Sequence, residues 1–122
     1  MTGKTKPAAR KKSSQRKKLP IARLEELIEE ATVDANSESE QASGFFTMFE
    51  DHLALPFKTE VLGVEATVEG IDMTDDEQIV AVCARGKSRQ RIPITELPLP
   101  AQPPKGAEWI EAYRRWRVGS SR

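Results

Sequence analysis

Three groups of carboxylates are the residues of this chain best equipped for chemistry. Asp34, Asn36, Glu38 and Glu40 put an oxygen-bearing side chain at every second position. Glu50 and Asp51 are adjacent, and Asp72, Asp75, Asp76 and Glu77 place four carboxylates within six residues. Side-chain oxygen at this density is ligand chemistry for a hard cation: Ca²⁺ takes about 6–8 oxygens at about 2.3–2.6 Å, several of them from carboxylates. The alternation over 34–40 imitates positions 1, 3, 5 and 7 of an EF-hand loop, but position 6 is Ser39 rather than Gly and position 12 is Phe45 rather than Glu, so the segment is not an EF-hand. On one continuous helix Glu38 and Glu50 stand about 18 Å apart at 1.5 Å per residue, so a single ion cannot join the first two groups. Each group also has a plain structural role open to it. Acids in a helix's first turn are favoured by the macrodipole at ~0.3–1 kcal/mol each without any metal, Glu50-Asp51 suits a solvated helix edge, and acid-rich turns are common as solvated loops.

Other chemistries find little support. With one His and one Cys in 122 residues, an internal disulfide and a multi-cysteine zinc site are excluded. A Ser-His-Asp hydrolase would have to use His52, and no nucleophile elbow accompanies it. There is no Walker loop and no GxGxxG. The chain reads as non-catalytic. His52 reads as a packed or surface helical residue, because calcium prefers oxygen. Cys83, in the most apolar stretch, reads as buried and inert.

The elements that must position these residues follow from periodicity. Pro20 opens a helical pattern in which Ile21, Leu24, Leu27, Ile28 and Ala31 form an apolar stripe, with Glu25, Glu26, Glu29 and Glu30 on the other side. The pattern breaks at Asp34-Ala35-Asn36-Ser37. Ser37 followed by Glu40 is a capping box, which predicts a second helix from Ser37 to about Leu53. That helix carries Phe45, Phe46 and Phe49 on its aromatic side, and Gly44 within it implies close packing. From Phe57 the period becomes two. Alternation over Phe57–Val61 and Val64–Glu69, the apolar run Ile79–Ala84 and the stretch Arg89–Ile94 predict four short antiparallel strands, with the acidic turn Asp72–Glu77 joining the second and third. Their spacing suggests a small SH3-like module. Leu97–Pro104 is an extended linker, and a final helix over about Glu108–Arg117 aligns Trp109, Tyr113 and Trp116 on one face. All seven aromatics lie on the second helix, at Phe57 or on this last helix, so the core should form where the last helix returns onto the second. Arg114, Arg115 and Arg117 read as ordinary charges near a helix C-terminus.

The net charge of zero conceals a segregation. Residues 1–20 carry eight basic residues and no acid, a local +8; residues 21–122 carry the other 11 basic residues and all 19 acids, a local −8. Residues 1–19 are too poor in apolar side chains to offset chain entropy and are expected to be a disordered tail. The organisation expected is therefore this tail, one domain over 20–118, and a disordered end over 119–122. No apolar run approaches the ~20 residues of a membrane span, and no apolar h-region follows the basic start, so a cytoplasmic monomer without membrane contact is expected. The tail could bind a phosphate backbone without sequence preference or an acidic protein partner. It could also fold over the acidic domain and compete with a cation.

The run Asp34-Ala35, Glu40-Gln41, Gly44-Phe45-Phe46 and Phe49-Glu50-Asp51-His52-Leu53-Ala54-Leu55-Pro56-Phe57, followed by Ile92-Pro93-Ile94-Thr95-Glu96-Leu97 and by Trp109 to Trp116, resembles the small bacterial family named for the cyanobacterial calcium-binding protein. The resemblance covers roughly Val33–Trp116. One departure is Asn36-Ser37, where similar proteins tend to have Tyr and then Gly or Asp. The resemblance implies non-catalytic Ca²⁺ binding by surface carboxylates outside an EF-hand, in calcium buffering or signalling. The expectation is thus an α+β domain of two N-terminal helices, a small antiparallel SH3-like β-module and one C-terminal helix. Asp34, Glu38, Glu40, Glu50, Asp51, Asp72, Asp75 and Asp76 are its candidate ligands. The alternative is a basic-arm adaptor for nucleic acid or an acidic partner.

Overall fold

The computed structural model describes residues 19–120. The elements run α1 (Ile21–Thr32), α2 (Glu38–His52), β1 (Phe57–Val61), β2 (Val64–Met73), β3 (Ile79–Arg85), β4 (Ser88–Pro93) and α3 (Ala107–Ser120). The α+β layout expected from periodicity is present. The tail expected over 1–19 lies outside the described residues except for Leu19, which packs against the core. At the other end α3 continues to Ser120, past the expected edge of the domain at 118, and only residues 121–122 lie outside the description. No helix among the described residues is long and apolar enough to cross a membrane.

Pro20 is the N-cap of α1 and its carbonyl accepts from the Arg23 and Leu24 amides. Leu27 and Ala31 of the stripe are buried and Leu24 and Ile28 partly so, whereas Ile21 stays exposed at the first turn. Asp34 terminates the segment with φ 64°, a left-handed conformation that Asp tolerates better than most residues. Helix α2 then starts as its capping box requires. The Ser37 hydroxyl accepts from the Glu40 amide at 3.1 Å, and Glu40 Oε1 accepts from the Asn36 amide at 2.6 Å. Gly44 has the close packing its position implied: a Cβ there would stand 2.0 Å from the Ala31 carbonyl oxygen, so α1 and α2 cross backbone to backbone. The helix ends at Leu53, and a cis peptide joins Leu55 to Pro56.

The four strands form one antiparallel meander in the order β1-β2-β3-β4. No ladder between β1 and β4 closes it among the described residues, so the strand order alone does not make it SH3-like. β2 is longer than alternation indicated. A bulge between Val68 and Gly70 resets the register, and the strand continues through Met73. Asp72 therefore lies in β2, opposite Val80, and not in the turn; the connection to β3 is Thr74–Gln78, closed by the Thr74 amide donating to the Gln78 carbonyl at 2.9 Å.

The core forms where expected. Phe45 and Phe49 of α2 meet α3 through Tyr113, in edge contacts at 5.4 and 5.8 Å, and Trp116 lies 5.3 Å from Phe45. Ala66 and Val68 of β2 and Ala81 and Cys83 of β3 complete it from the sheet. The buried Tyr113 hydroxyl accepts from the Ile79 amide at 3.3 Å, so the first residue of β3 is tied to α3. The three arginines of α3 do more than tune a helix end. Arg114 donates to the Ile94 and Leu97 carbonyls, pinning the turn after β4; Arg115 donates to Glu25 of α1 at 2.8 Å; and Arg117 lies over the Trp116 ring. Before α3, Gly106 has φ 91° and a Cβ there would stand 2.2 Å from the His52 carbonyl oxygen, so this crossing admits only glycine.

Candidate cation site

Carboxylate chemistry concentrates where the α1–α2 junction meets the β2–β3 turn. A pocket of about 420 Å³ opens between the end of α1 and the start of α2. Asp34, Asn36, Ser39, Glu40 and Ser43 line it, so five of its walls carry side-chain oxygen and none carries sulfur or imidazole. Local folding explains the set. The left-handed Asp34 turns the chain back, the Ser37 cap starts α2, and the next turns of that helix present Ser39, Glu40 and Ser43 on the side that faces α1 across Gly44.

The third carboxylate group arrives from a distant part of the chain. Glu77, with φ 67°, accepts a hydrogen bond from the Ser39 hydroxyl at 2.5 Å, so the Thr74–Gln78 turn is fastened to the first turn of α2. Glu77 and the start of α2 thereby share one end of the molecule although 38 positions separate the bonded residues. A helix N-terminus favours the carboxylates themselves, with or without a cation.

Several of the carboxylates have structural work of their own. One oxygen of Glu40 holds the Asn36 amide. Asp72 accepts from the Met73 amide at 2.8 Å and from Arg91 at 2.7 Å, on the outer side of the sheet. Asp76 accepts from the Thr74 hydroxyl within its own turn. Glu38 and Asp75 are exposed. Glu50 and Asp51 are exposed in the last two turns of α2, far from this end, where the negative pole of the helix opposes them. The structure thus brings Asp34, Glu40 and the turn at Glu77 to one end and leaves Glu50 and Asp51 at the other end of α2, while Asp72, two residues before that turn, is paired with Arg91. Among the described residues, no three His, Cys, Asp or Glu side chains converge closely enough to hold a metal ion as they stand.

The two residues with other chemistry are packed. His52 stacks on Trp109, with ring centroids 5.4 Å apart and planes 14° from parallel. Cys83 is a buried free thiol whose pKa burial pushes up from its ordinary 9.0, which disfavours the reactive thiolate. Sequence reasoning passed over Ser39 and Ser43 as pocket oxygens and Arg91 as the partner of Asp72. The serines at positions 39 and 43, one helical turn apart, were the available signal for the first pair. The Asp72–Arg91 pair depends on a register that the bulge in β2 shifts, and no local pattern reports it. In comparisons with known proteins, no family model, no curated protein and no solved structure matches the chain.

Proposed function

We propose that this protein binds Ca²⁺ non-catalytically, through carboxylates outside an EF-hand, at the end where α2 begins, as a calcium buffer or a calcium-responsive element. The observation that carries the reading is the oxygen-lined pocket at the α1–α2 junction, to which the Ser39–Glu77 hydrogen bond attaches a further carboxylate. The donor set is hard oxygen only, which suits Ca²⁺ and not Zn²⁺. Asp34 and Glu40 would hold the ion with hydroxyl or amide oxygens of the same pocket, and Glu77 would join from the turn. The family resemblance of the segment from Asp34 onward supports the same reading.

The test is isothermal titration of Ca²⁺ into the full chain and two double variants. Asp34→Asn with Glu77→Gln removes two carboxylates at this end with side chains of the same shape, so neither left-handed backbone is more strained than in the native chain. Glu29→Gln with Glu30→Gln removes two exposed carboxylates from α1. The first double should bind at least tenfold more weakly, about 1.4 kcal/mol, and the second should change little. Equal losses would mean diffuse attraction to an acidic surface and no site. Absence of binding below millimolar Ca²⁺ in the unmodified chain would end the calcium reading in favour of the basic-arm adaptor.

A further inference from the structure

The most basic segment among the described residues is the β3–β4 hairpin. Arg85, Lys87, Arg89 and Arg91 place four cations within seven residues and no acid between them, in a region whose sum is −8. The same hairpin supplies an open edge of the sheet. β4 is the last strand of the meander, and residues 86–91 are exposed. The Ile94 amide donates to the Ile79 carbonyl at 3.0 Å, which fixes the alternation of the ladder: Ser88, Gln90 and Ile92 turn their backbone groups to β3, and Arg89 and Arg91 turn theirs outward. The next outward carbonyl, that of Pro93, is taken by the Glu96 amide at 2.9 Å, and Pro93 has no N–H, so the open edge ends there. At the opposite side of the sheet the segment Pro98–Ala101 lies beside β1, and Thr59 donates to the Pro98 carbonyl.

The side chains of Arg89 and Arg91 lie on the outer face of the sheet. Each is steadied from behind by a carboxylate of β2, Arg89 by Glu69 at 3.0 Å and Arg91 by Asp72 at 2.7 Å. Both remain more than half exposed, so most of their five donors still face water. Arg85 and Lys87 have no carboxylate within ion-pair distance among the described residues.

We propose that the β4 edge is a docking site for an extended acidic peptide of a partner protein, which adds as a fifth strand and sets carboxylates at its positions i and i+2 against Arg89 and Arg91. Main-chain bonds to the outward groups of these two residues supply the pairing, and the cations select the sequence. The other occupants fit less well. Two β4 edges pairing with each other would set arginine opposite arginine, because only Arg89 and Arg91 offer outward N–H groups, and like charges directly opposite are destabilising. The N-terminal segment carries +8 and has the same sign. A long polyanion would extend past the hairpin over acidic surface, whereas a strand of four to six residues stays within it. This surface is independent of the proposed cation site.

The experiment uses the full chain and a fluorescein-labelled peptide of alternating glutamate and valine, followed by anisotropy and by amide NMR. Binding is expected, with slowed exchange of the Arg89 and Arg91 amides. Arg89→Glu with Arg91→Glu should weaken it at least tenfold, and Arg89→Lys with Arg91→Lys should retain most of it. Lys58→Glu with Lys105→Glu changes the net charge by the same amount at exposed positions elsewhere and should cost less than twofold. Far-UV circular dichroism checks that each variant is folded. Equal losses in the two glutamate doubles, binding without protection of the Arg89 and Arg91 amides, or no binding below millimolar peptide would each overturn the proposal. So would duplex DNA that displaces the peptide at lower concentration and loses affinity in the Arg89→Glu, Arg91→Glu double.

Discussion

At the scale of single residues, two buried groups make stability depend on pH in the alkaline range. Burial raises the pKa of Cys83 above 9.0, and burial is also the main reason that of Tyr113 stands above 10.0, although the Ile79 amide and the charge of Arg117 act the other way. A raised folded-state pKa means that the folded chain keeps a proton the unfolded chain has lost. The corresponding stability is complete below the unfolded pKa and is lost as pH rises through the folded one. Urea midpoints should therefore be level with respect to these two groups up to about pH 9, then fall, first through the cysteine and then through the tyrosine. Cys83→Ala with Tyr113→Phe should flatten that fall. The same double should lower stability at pH 7, because the phenylalanine leaves the Ile79 amide without its acceptor, at a cost of about 1–3 kcal/mol. An unchanged slope above pH 9 in the double would show that other groups carry the alkaline transition.

At the scale of elements, the α1–α2 crossing depends on an absent side chain. Alanine at position 44 would gain about 1 kcal/mol of helix propensity. Its Cβ would meet the Ala31 carbonyl oxygen at 2.0 Å, and backbone on both sides has no rotamer with which to yield. Overpacking of this kind costs typically 1–3 kcal/mol, and a clash with backbone belongs at the upper end. Gly44→Ala should thus lower the unfolding free energy by about 2 kcal/mol in urea titration, after its propensity gain. Gly119→Ala, where a Cβ meets nothing within 4 Å, should be neutral or slightly stabilising. Because Ser39 and Ser43 line the pocket from the same side of α2 that Gly44 packs, Gly44→Ala should also weaken Ca²⁺ binding under the proposed function. If Gly44→Ala left stability unchanged, the close crossing would be wrong.

At the scale of the whole molecule, the segregation of +8 and −8 bears on the proposed Ca²⁺ binding. Deleting residues 1–18 should raise Ca²⁺ affinity or leave it unchanged, since a local +8 opposes cation accumulation near the acidic domain. The effect should shrink with salt, as the Debye length falls from about 10 Å at 0.1 M to about 3 Å at 1 M. Calorimetric titrations of the full and shortened chains at those two ionic strengths measure it, and a clear loss of affinity on deletion would reject the electrostatic account. The β4 edge tests a different property of the same charge distribution, because it depends on where four cations sit and not on their sum.

What the sequence determined by itself was everything encoded within a few residues. The stripe from Ile21 to Ala31, the Ser37–Glu40 box, the alternation from Phe57 and the spacing of Trp109, Tyr113 and Trp116 each report a local period or cap, and the α+β layout and the α2–α3 aromatic core follow from them. Tertiary structure decided what depends on register and approach. The bulge at Glu69 carried β2 past its apparent end and moved Asp72 from a turn into a strand beside Arg91. Arg114 found its acceptors at Ile94 and Leu97, twenty and seventeen positions away. Of the carboxylates, Asp34 and Glu40 came together through local turn and cap geometry, the Glu77 turn joined them across the Ser39 bond that spans 38 positions, and Glu50 and Asp51 were fixed at a distance by the rigid rise of one helix. Local patterns are set by backbone geometry over one or two turns; convergence of side chains is set by packing, which no local period contains.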